Sequence, residues 1–177
     1  MKLVNPCDPI HKKIFHNQSS NSLYIQGSCK HLSSDYIQVG IVGSRSLSSY
    51  TFDMLPGIVQ FLALFRCNII SGGAIGVDTF AHSLALQFKM PTTAFLASPL
   101  TNMTPKQNLD LFAEIQSKGC LLSTLQPHTK VHKYQFLDRN KLLVNLCDLL
   151  IVPQAQCHSG SLKTAEYALS QNKLVFV

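Results

Sequence analysis

The sequence predicts an α/β fold, a doubly wound, mostly parallel sheet with helices on both faces. Three observations carry this. Six apolar runs of strand length recur along the chain, stretches of helical period separate them, and the runs are continuously apolar rather than alternating. Alternation marks a strand with one wet face. A strand that is apolar throughout is covered on both, as in a parallel sheet held between two layers of helices.

Taken in order, residues 1–34 read as a polar leader containing one short strand, SLYIQG at 22–27, and residues 35–177 read as the Rossmann-like domain. Its expected strands are YIQVGIV (36–42), CNIIS (67–71), TTAFLA (92–97), CLLST (120–124), DLLIV (148–152) and KLVFV (173–177). Helices are expected over 49–65, 75–88, 105–117, 138–146 and 161–171. Pro56 and Gly57 interrupt the first of these. The apolar spacing Phe52, Leu55, Val59, Leu62 favours a helix kinked there over one that begins at the proline. The chain stops inside the apolar run LVFV, which reads as a truncated end.

The chain has 177 residues, 46% of them hydrophobic, so it can bury a sizeable core. Fifteen Lys+Arg against nine Asp+Glu give a net charge of +6, which favours an acidic partner such as nucleic acid. The cysteines at 7, 29, 67, 120, 147 and 157 never form a CxxC pair, which argues against zinc or dithiol redox chemistry. Cys67, Cys120 and Cys147 sit among apolar residues and read as reduced core thiols. The N-terminus has no apolar run of signal-peptide length, and the longest apolar stretch, 58–65, is too short to span a bilayer. A cytoplasmic protein without membrane attachment is expected, with no cofactor.

Ligands of doubly wound sheets bind beyond the carboxyl ends of the strands. Three loops there share a chemistry: Gly43, Ser44, Arg45 and Ser46; Ser71, Gly72, Gly73 and Ala74; and QAQCHSGS at 154–161. Each is built of small residues whose N–H groups can approach a ligand, and each leads into a helix whose positive end favours an anion. Taken alone, the Gly72–Gly73 turn is equally consistent with tight packing. Beside the other two loops it reads as one wall of an anion site, with Arg45 as a fixed charge suited to phosphate.

Other chemistries fail at the residue level. GSRSLS is not G-x-G-x-x-G, no Walker lysine motif occurs, and neither Ser71 nor Ser159 lies in a G-x-S-x-G elbow. His82 follows Asp78 by four residues and shares its helix face, a spacing open to a metal or acid/base pair but better suited to a structural one. His158 reads as a solvent-facing loop residue. The segment TKVHKYQFLDRNKLL (129–143) interleaves Lys130, Lys133, Arg139 and Lys141 with Tyr134 and Phe136. Cations beside aromatic faces suit phosphates and stacked bases of a single strand. The alternative is a solvated loop with Phe136 turned inward.

Together VGIVGSRSLSSY, IISGGAIGVDTFAH, FLDRNKLLVNLCDLLIVPQA and SGSLKTAEYAL, in this order and spacing, resemble the DNA-processing protein A (DprA/Smf) family over residues 23–177. The resemblance implies an extended Rossmann-like domain that binds single-stranded DNA without sequence specificity, loads RecA recombinase during natural transformation, acts as a homodimer and has no catalytic residues. It implies that Arg45, Lys133, Arg139 and Lys141 hold phosphates, that Gly43, Ser44 and Gly72–Ala74 line the floor, and that Phe136 packs on a base. Asn140 then orders the loop or bonds a base edge, and Ser159, Gly160 and Ser161 close the rim. Three positions depart from the family: Lys141 stands where an arginine is common, and Thr124 and Gln154 stand where acids are usual.

The competing reading is a nucleotide phosphoribohydrolase of the lysine-decarboxylase-like type. Its PGG-x-GT-x-x-E signature would become SGSLKTAE here, with Glu166 as acid. A small-nucleotide sensor using the same anion loops is a third.

Overall fold

The computed structural model describes residues 1–5, 8–16 and 21–177. Among these, eight strands form one sheet: β1 (Lys2–Leu3), β2 (Tyr24–Gly27), β3 (Ile37–Ile41), β4 (Cys67–Ser71), β5 (Thr92–Leu96), β6 (Cys120–Ser123), β7 (Leu149–Ile151) and β8 (Leu174–Phe176). The helices are α1 (Pro9–Phe15), α2 (Ser49–Leu62), α3 (Val77–Gln87), α4 (Leu109–Lys118), α5 (Tyr134–Leu146) and α6 (Gly160–Ser170). The strand order is β1-β2-β6-β5-β4-β3-β7-β8, antiparallel at β1–β2 and β2–β6 and parallel elsewhere. The expected doubly wound, mostly parallel sheet is what forms.

Helices cover both faces. Leu55, Val59, Val77, Ala81 and Leu84 of α2 and α3 pack on one face with Val39 and Ile69, and Phe112 and Ile115 of α4 extend that layer. Ile14, Leu143, Val144, Ala165 and Ala168 of α1, α5 and α6 pack on the other with Ile70, Phe95 and Leu122. The chain winds outward from β3 through β4 and β5 to β6, then returns to lay β7 on the opposite side of β3. Neighbouring connections therefore diverge between β3 and β7, and a crevice opens there at the strands' carboxyl ends.

The opposite ends of the strands are sealed by polar side chains. Asn68 Nδ2 donates to Gln38 Oε1 (2.8 Å) and to Thr93 Oγ1 (3.1 Å), a rung across β3, β4 and β5, all three residues being buried. Gln38 Nε2 passes the chain on to the carbonyls of His31 and Tyr36. Such a network is tolerable in a core because its members find partners.

Three stretches differ from expectation. The stretch read as leader supplies β1 and α1 as well as the expected β2, and its Ile14, Phe15 and Leu23 are buried. Local chemistry starts and stops α1: Asp8 accepts from the Ile10 N–H (2.9 Å), Pro9 takes the first turn, and His16 ends it in a left-handed conformation. Seven residues carrying His11, Lys12 and Lys13 show too little periodicity to be seen in sequence. Helix α2 runs through Pro56 without a break, capped by Ser48, and buries Thr51, Leu55 and Val59. Phe52, assigned to its apolar stripe, is instead exposed and stacks on Phe80 at 5.2 Å. Helix α5 begins at Tyr134, one turn earlier than expected, where Gln135 Oε1 accepts the His132 N–H (2.6 Å). The cysteines at 67, 120 and 147 are buried as expected, and burial pushes the Cys147 thiol up to about 12. Cys7 lies outside the described residues.

Asn145 of α5 donates to the carbonyl of Ile14 (2.9 Å), tying the end of α1 to the central layer. Truncating Ile14 to alanine is expected to lower the unfolding free energy by about 2–5 kcal/mol in urea titrations. An unchanged midpoint would mean that α1 is not part of the cooperative core.

Candidate nucleic-acid interface

The crevice beyond β3 and β7 is a cleft of about 400 Å³. Its wall is built by the loops after β3, β4 and β7 and by the first half of α5. Ten of the fourteen residues singled out in the sequence line it: Gly43, Ser44, Arg45, Ala74, Phe136, Arg139, Asn140, Ser159, Gly160 and Ser161. At the mouth the exposed Arg45 guanidinium lies 5.6 Å from the centre of the Phe136 ring. That places a cation and an aromatic face side by side, the pairing a phosphate with its base requires.

The other four lie elsewhere. Gly72 sits beneath Arg139, and a Cβ on it would come within 2.5 Å of three guanidinium atoms. Gly73, at φ +71°, packs against Phe112 and Leu96. Lys133 is exposed at the head of α5, one turn before Phe136, and does not line the cleft. Lys141 points away from it, into a separate groove between α5 and α6.

Arg139 is 5% exposed. Its Nη1 donates to the carbonyls of Gly72 and Phe95 and its Nε to Asn140 Oδ1 (3.0 Å). Burial pulls its pKa down to about 10, with Asp78 opposing the shift and Arg45 adding to it, so the group stays charged at neutral pH. Nη2 has no acceptor among the described residues, and Arg139 lines the cleft. The expected role of a phosphate-holding surface arginine therefore becomes that of a structural cation with one donor group left over. Asn140 in turn donates to Thr164 Oγ1 (2.8 Å), which fixes its amide between α5 and α6.

The helix ends facing the cleft are not equivalent. At α2, Gln154 Oε1 accepts from the Ser48 N–H (2.9 Å) and the Thr51 hydroxyl (3.0 Å), so that end is occupied by the chain. At α3, Asp78 accepts the N–H group of Ala74 (3.3 Å), and burial raises its pKa against the pull of Arg139 and of the nearby backbone N–H groups. The carboxyl group of the chain itself thus occupies the place beside the Ser71–Ala74 turn. At α6, Ser159 Oγ accepts the Leu162 N–H (3.2 Å) and shares a hydrogen bond with the Ser161 hydroxyl (3.1 Å). The N–H groups of Gly160 and Ser161 have no acceptor among the described residues, and both residues line the cleft. One of the three expected anion cradles is vacant of internal partners, and it is the one that SGS forms.

The remaining candidates fall into place. Ser71 is buried and donates to the Ile41 carbonyl (2.6 Å). Glu166 and His158 are exposed and do not line the cleft. His82 is fully buried: the Thr92 hydroxyl donates to the Ile69 carbonyl (2.9 Å), so His82 Nδ1, at 2.7 Å, acts as donor to that oxygen. Its Nε2 has no partner among the described residues. Among the described residues, no group of three or more His, Cys, Asp or Glu side chains is arranged to hold a metal ion. Nor, among the described residues, is any helix long and apolar enough to cross a membrane.

The profile described as DNA recombination-mediator protein A matches residues 9–177. The chain belongs to this family. DNA processing protein DprA of Streptococcus pneumoniae is 35% identical over 139 residues, 78% of this chain and 49% of that protein. The Bacillus subtilis DprA is 32% identical over 139 residues, with 78% and 47% covered, and Protein Smf of Synechocystis is 32% identical over 179, with 99% and 45% covered. The chain thus spans about half the length of the curated relatives it matches. Among solved structures, DNA processing protein A from Helicobacter pylori, studied for its single-stranded DNA binding mode, superposes with a TM-score of 0.87 at 30% identity. That match covers 99% of this chain and 79% of that one. The S. pneumoniae DprA structure gives 0.89 at 29%, covering 98% and 61%. A molybdenum cofactor binding protein from Rippkaea orientalis, at 0.59 and 19%, shares the fold alone, over 81% and 76% of the two chains.

In this family member the buried His82 makes stability depend on pH. Burial, with Arg139 adding to it, lowers its pKa to about 3 against 6.5 when unfolded. The unfolded chain therefore binds the extra proton first, and stability present above pH 6.5 is lost as pH falls toward 3. The slope approaches about 1.4 kcal/mol per pH unit in that window. Asp78, with its raised pKa, acts with the opposite sign, stabilising at low pH. Urea unfolding of wild type against His82→Leu between pH 6.5 and 4 is expected to show the acid loss reduced in the variant. Parallel curves would remove His82 as its source.

Proposed function

We propose that the cleft binds single-stranded DNA without reading its sequence, as a binding module rather than an enzyme. The observation that carries this reading is the Arg45 guanidinium over Phe136 in a cleft also lined by Gly160 and Ser161, whose N–H groups have no acceptor among the described residues. A phosphate between the guanidinium and those N–H groups would sit with its base against the ring, and neither contact reads a base edge. The H. pylori relative's binding mode supports the choice of ligand. The cleft's lining carboxyl among the described residues, Asp78, is bonded to the Ala74 N–H, which favours holding over cutting.

We assign this module to the hand-over of bound strands to RecA recombinase in DNA uptake, working as a homodimer. The family's description as recombination mediator supports that assignment. Glu166 is exposed on α6 and lies outside the cleft, which weighs against the phosphoribohydrolase reading.

Binding to oligothymidine, followed by anisotropy at several salt concentrations, tests this. Arg45→Ala is expected to weaken binding and to flatten the slope of log K against log salt by about 0.7. Phe136→Ala is expected to cost about 1–3 kcal/mol through lost stacking. If Arg45→Ala and Phe136→Ala both bind as wild type does at low salt, the cleft is not the site. Free base released from nucleoside monophosphates at an enzymatic rate would overturn the non-catalytic reading.

A further inference from the structure

Helix α5 separates two cavities. One face carries Phe136 and Arg139 into the cleft, and the other carries Tyr134, Leu137 and Lys141 into a groove of about 280 Å³ against Lys163 and Tyr167 of α6. Leu137 and Asn140 line both, so the two spaces meet over the saddle these residues form. The saddle is held in place, because Asn140 is bonded to Arg139 on one side and Thr164 on the other.

We infer that the α5–α6 groove is a second subsite for the same nucleic-acid strand, taking the nucleotides that leave the cleft over Leu137 and Asn140. The inference rests on the reading of the cleft given above. Lys141 and Lys163 are exposed, one from each helix, and neither has a carboxylate within 4.0 Å, the ion pairs among the described residues being Lys13–Asp148 and Lys118–Glu114. Asp138 lines the same groove without pairing with either lysine. Tyr134 is 61% exposed, and its ring lies nearly parallel to that of His132, 5.7 Å away. The Tyr167 hydroxyl donates to Asn145 Oδ1 (3.1 Å), which fixes that ring in the groove wall. Two unpaired cations facing each other across a trough with two phenol rings repeat the cation-and-ring chemistry of the cleft, and a continuous polyanion is the ligand able to use both. A mononucleotide would fill one site only.

Anisotropy titrations with oligothymidines of about 4 and about 16 nucleotides separate the two sites, since single-strand footprints span this range. Wild type is expected to bind the longer strand more tightly and with a steeper salt slope. Lys141→Gln combined with Lys163→Gln is expected to leave the short strand's affinity unchanged. For the long strand the same pair is expected to lower affinity about tenfold and to reduce the salt slope by about 1.4, two single-strand contacts' worth. Tyr134→Ala is expected to reduce the gain with length while keeping the slope. The groove is excluded as a subsite, with the cleft reading intact, if the double variant keeps the full gain with length or if wild type shows none. Failure of wild type to bind either length would instead defeat the cleft reading and this inference with it.

Discussion

Arg139 lies flat over Gly72, with Nη1 bonded to the carbonyls of Gly72 and Phe95 and Asp78 close enough to oppose the effect of burial on its charge. Those bonds pin the carboxyl ends of β4 and β5 to α5, and the position of α5 sets that of everything it carries. Phe136 comes to the mouth of the cleft because it precedes Arg139 by three residues on the same helix, and Asn140 reaches Thr164 because it follows by one. A guanidinium can bridge in this way because it offers five donors in a rigid plane; a lysine would bring one charge and no fork. Removing the guanidinium would leave the buried Gly72 and Phe95 carbonyls without their donor, which is why Arg139 belongs to the scaffold as much as to the site.

The two ends of the sheet are built on opposite principles. At the amino ends, Gln38, Asn68 and Thr93 satisfy one another across three strands and leave little for a ligand to bind. At the carboxyl ends, polar groups are shared out unevenly: Gln154 closes α2, Asp78 closes the turn before α3, and the first N–H groups of α6 remain open beside Arg45. An anion entering the cleft therefore meets one vacant helix end and one mobile-length cation, not three equivalent cradles. Gln154, where the family resemblance implies an acid, uses its amide oxygen as the acceptor, so the capping role needs no charge.

Much of the domain was legible because buried parallel strands have a direct signature. All six continuously apolar runs became strands, and the three small-residue loops after them gathered at one sheet edge, as the topology of alternating strands and helices requires. Helix α1 was not legible, because seven residues with two lysines and a histidine show no period, and Ile14 and Phe15 are buried by partners more than a hundred residues away. The early start of α5 was hidden by the same charged and aromatic alternation that suggested a nucleic-acid loop.

Sequence alone determined the fold class, the family and the set of residue types at the strand ends, since these follow from apolar periodicity and from motif order along the chain. Tertiary structure decided which of those residues face a ligand. Arg139 and Lys141 are two positions apart on α5, yet one is buried under the cleft and the other faces a separate groove, because two residues of α-helix turn about 200°. Gly72 and Ala74 are likewise two apart, and one makes room for a guanidinium while the other lines the cleft. Charge and residue type are properties of the chain; the side of a helix on which they act, and whether an internal carboxylate has already claimed an anion's place, depend on segments that meet only when the sheet closes.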